Sequence, residues 1–157
     1  MLELLSNSMR ILLTKHASYI KESLEIARTL SAYFTKDALD SMTSDFSKYS
    51  LIVAEEGSIS AFLCFGLKQN RYEILWFGVK PDKQSQGLGK SMLDFLINYL
   101  KEKKIKELYV KTLSPEDPYE PYKRTRKFYE ENGFKHLYIE KATKKGWDDQ
   151  VVMRLTL

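Results

Sequence analysis

One cysteine, two histidines and four prolines in 157 residues leave several chemistries without material. The lone Cys64 cannot form an internal disulfide, and it has no second sulfur for a cysteine-based zinc site. It sits in an apolar run, where a buried, inert thiol is the ordinary state. His16 and His136 stand alone, so no metal is expected. No apolar run approaches the roughly 20 residues that span a bilayer, so no membrane association is expected. The opening Met1-Leu-Glu-Leu-Leu has neither a basic stretch nor a small-residue cleavage site. No leader is expected, and with no disulfide the chain reads as cytoplasmic. Charge of one sign is also scarce: 25 basic and 21 acidic residues leave a net +4. Lysines cluster at Lys101, Lys103, Lys104 and Lys106 and again at Lys141, Lys144 and Lys145, with acids interspersed. That pattern reads as solvated surface and not as a nucleic-acid platform, which concentrates charge beside stacking aromatics. A mild positive field still favours a polyphosphate ligand.

What remains is ordinary globular material: 43% apolar and 29% charged residues, enough for one core. Residues 1–8 read as a short extension, and 9–157 as one domain without repeats or linkers. Arg10–Thr14 is a strand candidate. Residues 18–34 repeat Ile20, Leu24, Ala27 and Leu30 at helical spacing. A shorter helix covers 37–46, with Thr35 as its cap. Strands are expected over 50–55, 59–67 and 72–79, an antiparallel meander broken by Glu56-Gly57 and by the polar turn 68–71. Pro81 stops the third of these. Residues 87–103 form the clearest helix, with Leu88, Met92, Leu93, Leu96, Tyr99 and Leu100 on one stripe. A strand at 107–113, an acidic Pro-containing loop at 114–121, a helix at 122–132 closed by Gly133, and strands at 134–142 and 150–156 follow. The fold class is α+β: a mixed, mostly antiparallel twisted sheet of about seven strands with helices on both faces.

The most informative stretch is Val79-Lys-Pro-Asp-Lys-Gln-Ser-Gln-Gly-Leu-Gly-Lys-Ser91. A strand ends, a polar loop follows, and paired glycines open a strong helix. The unpaired N–H groups of such a helix start attract anions, and Gly87 and Gly89 let a phosphate approach the main chain. Three phosphate-binding patterns compete. A P-loop needs glycine where Gln84 stands, and a dinucleotide turn needs glycine where Met92 stands. Q-x-x-G-x-G is met by Gln84, Gly87 and Gly89.

That pattern, after a strand and a proline, resembles the pyrophosphate loop of the GNAT N-acetyltransferase family. The element order over residues 9–157 is similar to the same family. So is the ending Phe128-Tyr-Glu-Glu-Asn-Gly-Phe134. The resemblance implies the acyl-CoA N-acyltransferase fold, acetyl-CoA as cosubstrate and an amine acceptor. A homodimer is common among such proteins. It places Phe77, Gly78 and Val79 along the pantetheine arm. Gln84, Ser85, Gln86, Gly87, Leu88, Gly89 and Lys90 would lie around the pyrophosphate. Many members carry, seven residues before the tyrosine of that ending, an Asn that contacts the cofactor. Tyr122 stands there in this chain, with Thr125 or Arg126 as substitutes. A GNAT-like module that binds CoA without turnover is the alternative function.

Acetylating an amine needs a base, an oxyanion donor and an acid for the departing thiolate. An alkylammonium has a pKa of about 10.4, so a base helps to free its lone pair. Glu73 is the candidate, six residues before Val79, where several family members carry a base. Strict alternation puts Glu73, Leu75, Phe77 and Val79 on one face, but the resemblance implies a bulge in this strand, which would alter that parity. The resemblance assigns the oxyanion to the N–H of Val79. Tyr129 is the candidate acid, a phenol able to donate to a thiolate. For the acceptor, the acids Glu116, Asp117, Glu120, Asp148 and Asp149 sit in expected loops, where solvated surface is the stronger reading.

Overall fold

A computed structural model describes residues 2–4 (backbone only), 9–113 and 119–157. Two short antiparallel strands come first, β1 (Leu2–Leu4) and β2 (Arg10–Thr14), followed by helices α1 (Ala17–Thr29) and α2 (Lys36–Lys48). The meander is β3 (Ser50–Glu56), β4 (Ser58–Lys68) and β5 (Arg71–Val79). A 3₁₀ turn at Pro81–Lys83 leads into α3 (Leu88–Glu102), and β6 (Glu107–Leu113), α4 (Glu120–Glu131), β7 (Lys135–Glu140) and β8 (Gln150–Thr156) complete the chain. All strands join one eight-stranded sheet in the order β1-β2-β3-β4-β5-β6-β8-β7. Seven of these strands match those read from the sequence; the eighth is Leu2–Leu4, within the residues read as an extension. Among the described residues, no helix is long and apolar enough to cross a membrane.

The sheet separates two cores. On one face α3 and α4 cover Ile52, Leu63, Phe65, Ile74, Leu108, Val110 and Met153, with Met92, Leu93, Leu96, Leu100, Tyr129 and Phe134 packed among them. On the other, α1 and α2 bring Ile26, Ala27, Met42 and Phe46 onto Leu51, Val53, Phe62 and Cys64. Burial pushes the Cys64 thiol up to about 12, so it stays neutral and inert, as its apolar run predicted.

Local rules explain most element ends. The Thr35 hydroxyl accepts the N–H of Ala38 at 3.2 Å and starts α2. Gly133, at φ +92°, closes α4, and the N–H of Phe134 reaches the carbonyl of Tyr129. Several boundaries differ from the sequence reading, and two of the differences have a local cause. The first helix, expected to reach residue 34, ends at Thr29, because Leu30 leaves helical geometry to bury its side chain in the second core. Tyr33 and Phe34 then follow in a turn whose N–H groups return to the Leu30 carbonyl. The last helix starts two residues early, at Glu120, because Pro121 sits in its first turn, where a missing N–H costs nothing. Residues 114–118 of the acidic loop, Glu116 and Asp117 among them, lie outside the described residues.

β5 is the strand on which the site depends. It pairs with β4 along its length but meets β6 in parallel only at Glu73↔Tyr109 and Ile74↔Val110. Between Cys64↔Trp76 and Phe65↔Ile74 the register slips, leaving Leu75 as an extra residue. Gly78 is a packing necessity here. A Cβ on it would lie 2.7 Å from the Phe62 ring and 2.9 Å from Leu30. Gly78→Ala is therefore expected to lower stability by about 1–3 kcal/mol through overpacking. Urea unfolding would read this as a lower midpoint at constant slope, and an unchanged midpoint would refute the packing account.

Candidate active site

Where β5 and β6 diverge, the backbone of β5 loses its neighbour on one side. Lys80 donates its N–H to Ser60 on the β4 side at 2.9 Å. N–H directions alternate along a strand, so Val79 and Phe77 present their N–H and carbonyl groups to the gap instead. The Gln84 side chain confirms the direction, since its amide donates to the Val79 carbonyl at 3.0 Å. That bond also ties the turn to the strand end.

The turn after β5 holds an anion cradle made only of backbone. Ser85 adopts φ +63° and Gly87 φ +81°, which curls the chain into the start of α3. Six consecutive residues, Ser85 to Lys90, find no acceptor for their backbone N–H groups among the described residues. The first bond of the helix is Ser91 N–H to the Gly87 carbonyl. A Cβ on Gly87 would meet nothing within 4 Å, so the space above it is open. At Gly89 a Cβ would meet the edge of the Phe128 ring at 3.4 Å and the Phe77 ring at 3.9 Å. Lys83 and Arg124 add positive charge nearby.

These features lie on one cleft of ≈ 540 Å³. Among the predicted residues, Phe77, Gly78, Val79, Gln84, Ser85, Gly87, Gly89, Lys90 and Tyr129 line it. Gln86, Leu88 and Glu73 do not. The Gln86 side chain folds back to the Asp82 carbonyl, and Leu88 is buried in the first core. Sequence reasoning missed Leu30, Tyr33 and Phe34, which reach the cleft from the early end of α1. It also missed Lys83, Arg124 and Asn132. Of the two substitutes for the absent Asn, Thr125 lines the cleft, whereas Arg126 is buried and donates to the Leu113 carbonyl. The Tyr122 ring packs edge-on against Tyr119.

Tyr129 is 4% exposed, and burial raises its phenol above the ordinary value, which keeps it protonated. Its ring is held edge-on between Phe128 and Phe134, while its hydroxyl has no hydrogen-bond partner among the described residues.

Glu73 corrects the alternation argument. Tyr72, Ile74, Phe77 and Val79 face the first core, and Leu75 and Trp76 face the second. The extra residue at Leu75 reverses parity, so Glu73 lies on the sheet face opposite Phe77 and Val79. It stands at the point where β5 and β6 part. Its side chain is 6% exposed, yet its carboxylate accepts no hydrogen bond among the described residues. Burial pushes the carboxyl up; Lys111, Lys68 and Arg71 pull it back, and Glu140 adds to the rise.

The remaining candidates are structural. Trp76 donates to Asp45 at 2.8 Å and meets Phe34 edge-on. His136 pairs with Glu130 at 2.8 Å. Asp149 is tied to the N–H of Ala142 and to Lys141, which lower its pKa. No group of three or more metal-ligating side chains occurs among the described residues.

Comparison with known proteins agrees with this geometry. A protein of the GNAT family from Desulfovibrio desulfuricans superposes with a TM-score of 0.83 at 20% identity, covering 94% of this chain and 98% of that one. The ribosomal-protein-S18-alanine N-acetyltransferase of Escherichia coli gives 0.72 at 20% identity, with 93% of each chain covered. A GNAT acetyltransferase from Elizabethkingia anophelis, solved with acetyl-CoA bound, gives 0.69 at 18% identity, over 97% of this chain and 100% of that one. At these identities the likeness is one of fold. No curated protein matches the sequence. The model of the acetyltransferase (GNAT) domain matches residues 47–136, which carry the meander, the cradle and Tyr129, and the chain belongs to that family.

Proposed function

We propose that the protein is an acetyl-CoA-dependent N-acetyltransferase that acetylates a primary amine by direct attack on the thioester. The observation that carries this reading is the run of six unpaired backbone N–H groups from Ser85 to Lys90, beside a strand edge left open at Phe77 and Val79. A pyrophosphate supplies acceptors for the first, and the amides of a pantetheine arm supply partners for the second. Thr125, one of the two substitutes for the family Asn, lines the cleft and is the candidate for its cofactor contact, with Arg124 beside it.

The chemistry divides between the two sides of the gap. An amine arriving on the Glu73 side gives its proton to that carboxylate. The free amine attacks the thioester carbonyl, and the N–H of Val79 stabilises the oxyanion. Collapse forms the amide and breaks the carbon–sulfur bond. The thiolate takes its proton from Tyr129, which burial keeps in the acid form, and the second proton that the attacking nitrogen sheds as the amide forms returns, through water, to the phenolate. A module that only bound CoA would have no use for a largely buried carboxyl whose pKa burial raises, since perturbed acids gather at working sites. Thiol release from acetyl-CoA with a panel of amines separates the two readings: no release with any amine favours the silent module.

Gly87→Val and Gly89→Val should each abolish acetyl-CoA binding by filling the space above the cradle. Calorimetry that finds both variants binding like the wild type would remove the cofactor from this turn. Tyr129→Phe should lower kcat by roughly 100- to 10,000-fold with little change in acetyl-CoA affinity, because the phenol acts on charge that develops only in the transition state. An unchanged kcat, where chemistry limits the rate, would exclude the tyrosine. Glu73→Gln should slow turnover at neutral pH and recover partly at high pH, where free amine is abundant. A wild-type pH profile in that variant would exclude Glu73 as base.

A further inference from the structure

The open-face side of β5 holds an arrangement that the cofactor cleft does not use. Arg71 lies two residues before Glu73 on the same face. Its guanidinium carbon sits 4.4 Å from the centre of the Tyr109 ring on β6 and 6.0 Å from that of Tyr138 on β7. Its Nη1 donates to the Tyr138 hydroxyl at 2.9 Å. Three strands thus fix one cation. Its Nη2 stands 3.8 Å from the Glu73 carboxylate, with side-chain exposures of 21% and 6%.

We propose that Arg71 is a positioning residue that holds Glu73 in its ionised, proton-accepting form, with Tyr109 and Tyr138 as its clamp. This rests on Glu73 being the base. A charged hydrogen bond runs about 2.7–2.9 Å, so 3.8 Å is too long to occupy a carboxylate lone pair. It is short enough, in a half-buried setting, for strong attraction between the charges. The carboxylate therefore keeps its charge and its free lone pairs, which is the state a base requires. Were the two groups in direct contact, the lone pairs would be spent; were Arg71 free in solvent, Glu73 would lose its one ion-pair partner among the described residues.

Lys111 and Lys68 favour the ionised form too, and more strongly than Arg71, but neither is fixed against the carboxylate as an ion pair. Lys111 on β6 is bonded to Glu140 of β7 at 3.0 Å, and Glu140 itself works against the ionised form. Lys68 lies at the exposed end of β4, where water screens it. Across β6 and β8, Arg154 is paired with Glu107 at 3.2 Å. Among the described residues, Arg71 has no ion-pair partner other than Glu73. Arginine is required for the clamp, because only a planar guanidinium stacks on a ring and donates sideways at once.

The test reads the protonation of Glu73 directly. Protein labelled with ¹³C at glutamate carboxyls and saturated with CoA is titrated by NMR, the Glu73 signal being the one lost in Glu73→Gln. In Arg71→Ala the Glu73 midpoint should move to higher pH, Arg71→Lys should lie between, and Tyr138→Phe should move it less in the same direction. With an amine that the panel shows to be acetylated, the acid limb of the pH–rate profile should shift alike. Turnover of Arg71→Ala at a fixed pH below the limb should fall on the order of tenfold. CoA affinity by calorimetry should hold in all variants, which shows that the fold survives. A Glu73 midpoint that coincides in wild type and Arg71→Ala overturns the proposal, as does a rate loss that is uniform with pH. If Glu73→Gln keeps the wild-type acid limb, the base assignment fails instead.

Discussion

Everything functional in this molecule follows from a sheet that stops being a sheet in its middle. β5 and β6 meet in parallel at Glu73↔Tyr109 and Ile74↔Val110 and then separate. Backbone groups in a protein interior need partners, so a strand edge opened this way is unfinished. The gap admits a ligand that can complete it, and the turn at its wide end adds the run of N–H groups from Ser85 to Lys90. Parallel neighbours need a crossover, and α3 supplies it by packing Met92, Leu93 and Leu96 under the sheet, which also fixes the direction of the helix start.

The extra residue at Leu75 divides the work between the two faces. Without it, Glu73 would share a face with Phe77 and Val79 and would compete for the space that a thioester arm needs. With it, the carboxylate projects to the side where β6 and β7 display Tyr109, Lys111, Tyr138 and Glu140. Donor and acceptor can then approach the same point from opposite sides.

The sequence made the frame legible because its signals are local. Val79 to Ser91 reads as strand end, turn and helix start without any tertiary knowledge. Thr35 and Gly133 mark helix ends by their own chemistry. The strands of the meander read correctly because alternation and turns are short-range. The facing of Glu73 was not legible from the residues themselves, since a bulge is a mismatch between two strands and has no signature in either alone; only the family resemblance implied one here. Leu30, Tyr33 and Phe34 were missed for a related reason: continued helical spacing hid the early end of α1, which is set by packing of Leu30 against Phe62 and Gly78. The role of Arg71 needs β5, β6 and β7 together, and its partners lie as many as 67 residues away.

The bond from the Gln84 amide to the Val79 carbonyl has a consequence for affinity. A loop that must order itself around its ligand loses conformational freedom on binding, and that loss weakens the complex. Here the side chain joins the strand end to the cradle within the protein itself. The spacing between the N–H groups that meet an anion and the strand edge that meets a chain is set before any ligand arrives. Selectivity then becomes a matter of length. A ligand gains from both ends at once only if its charged group and its reactive group are separated by the stretch of β5 that runs from the cradle to the parting of the strands.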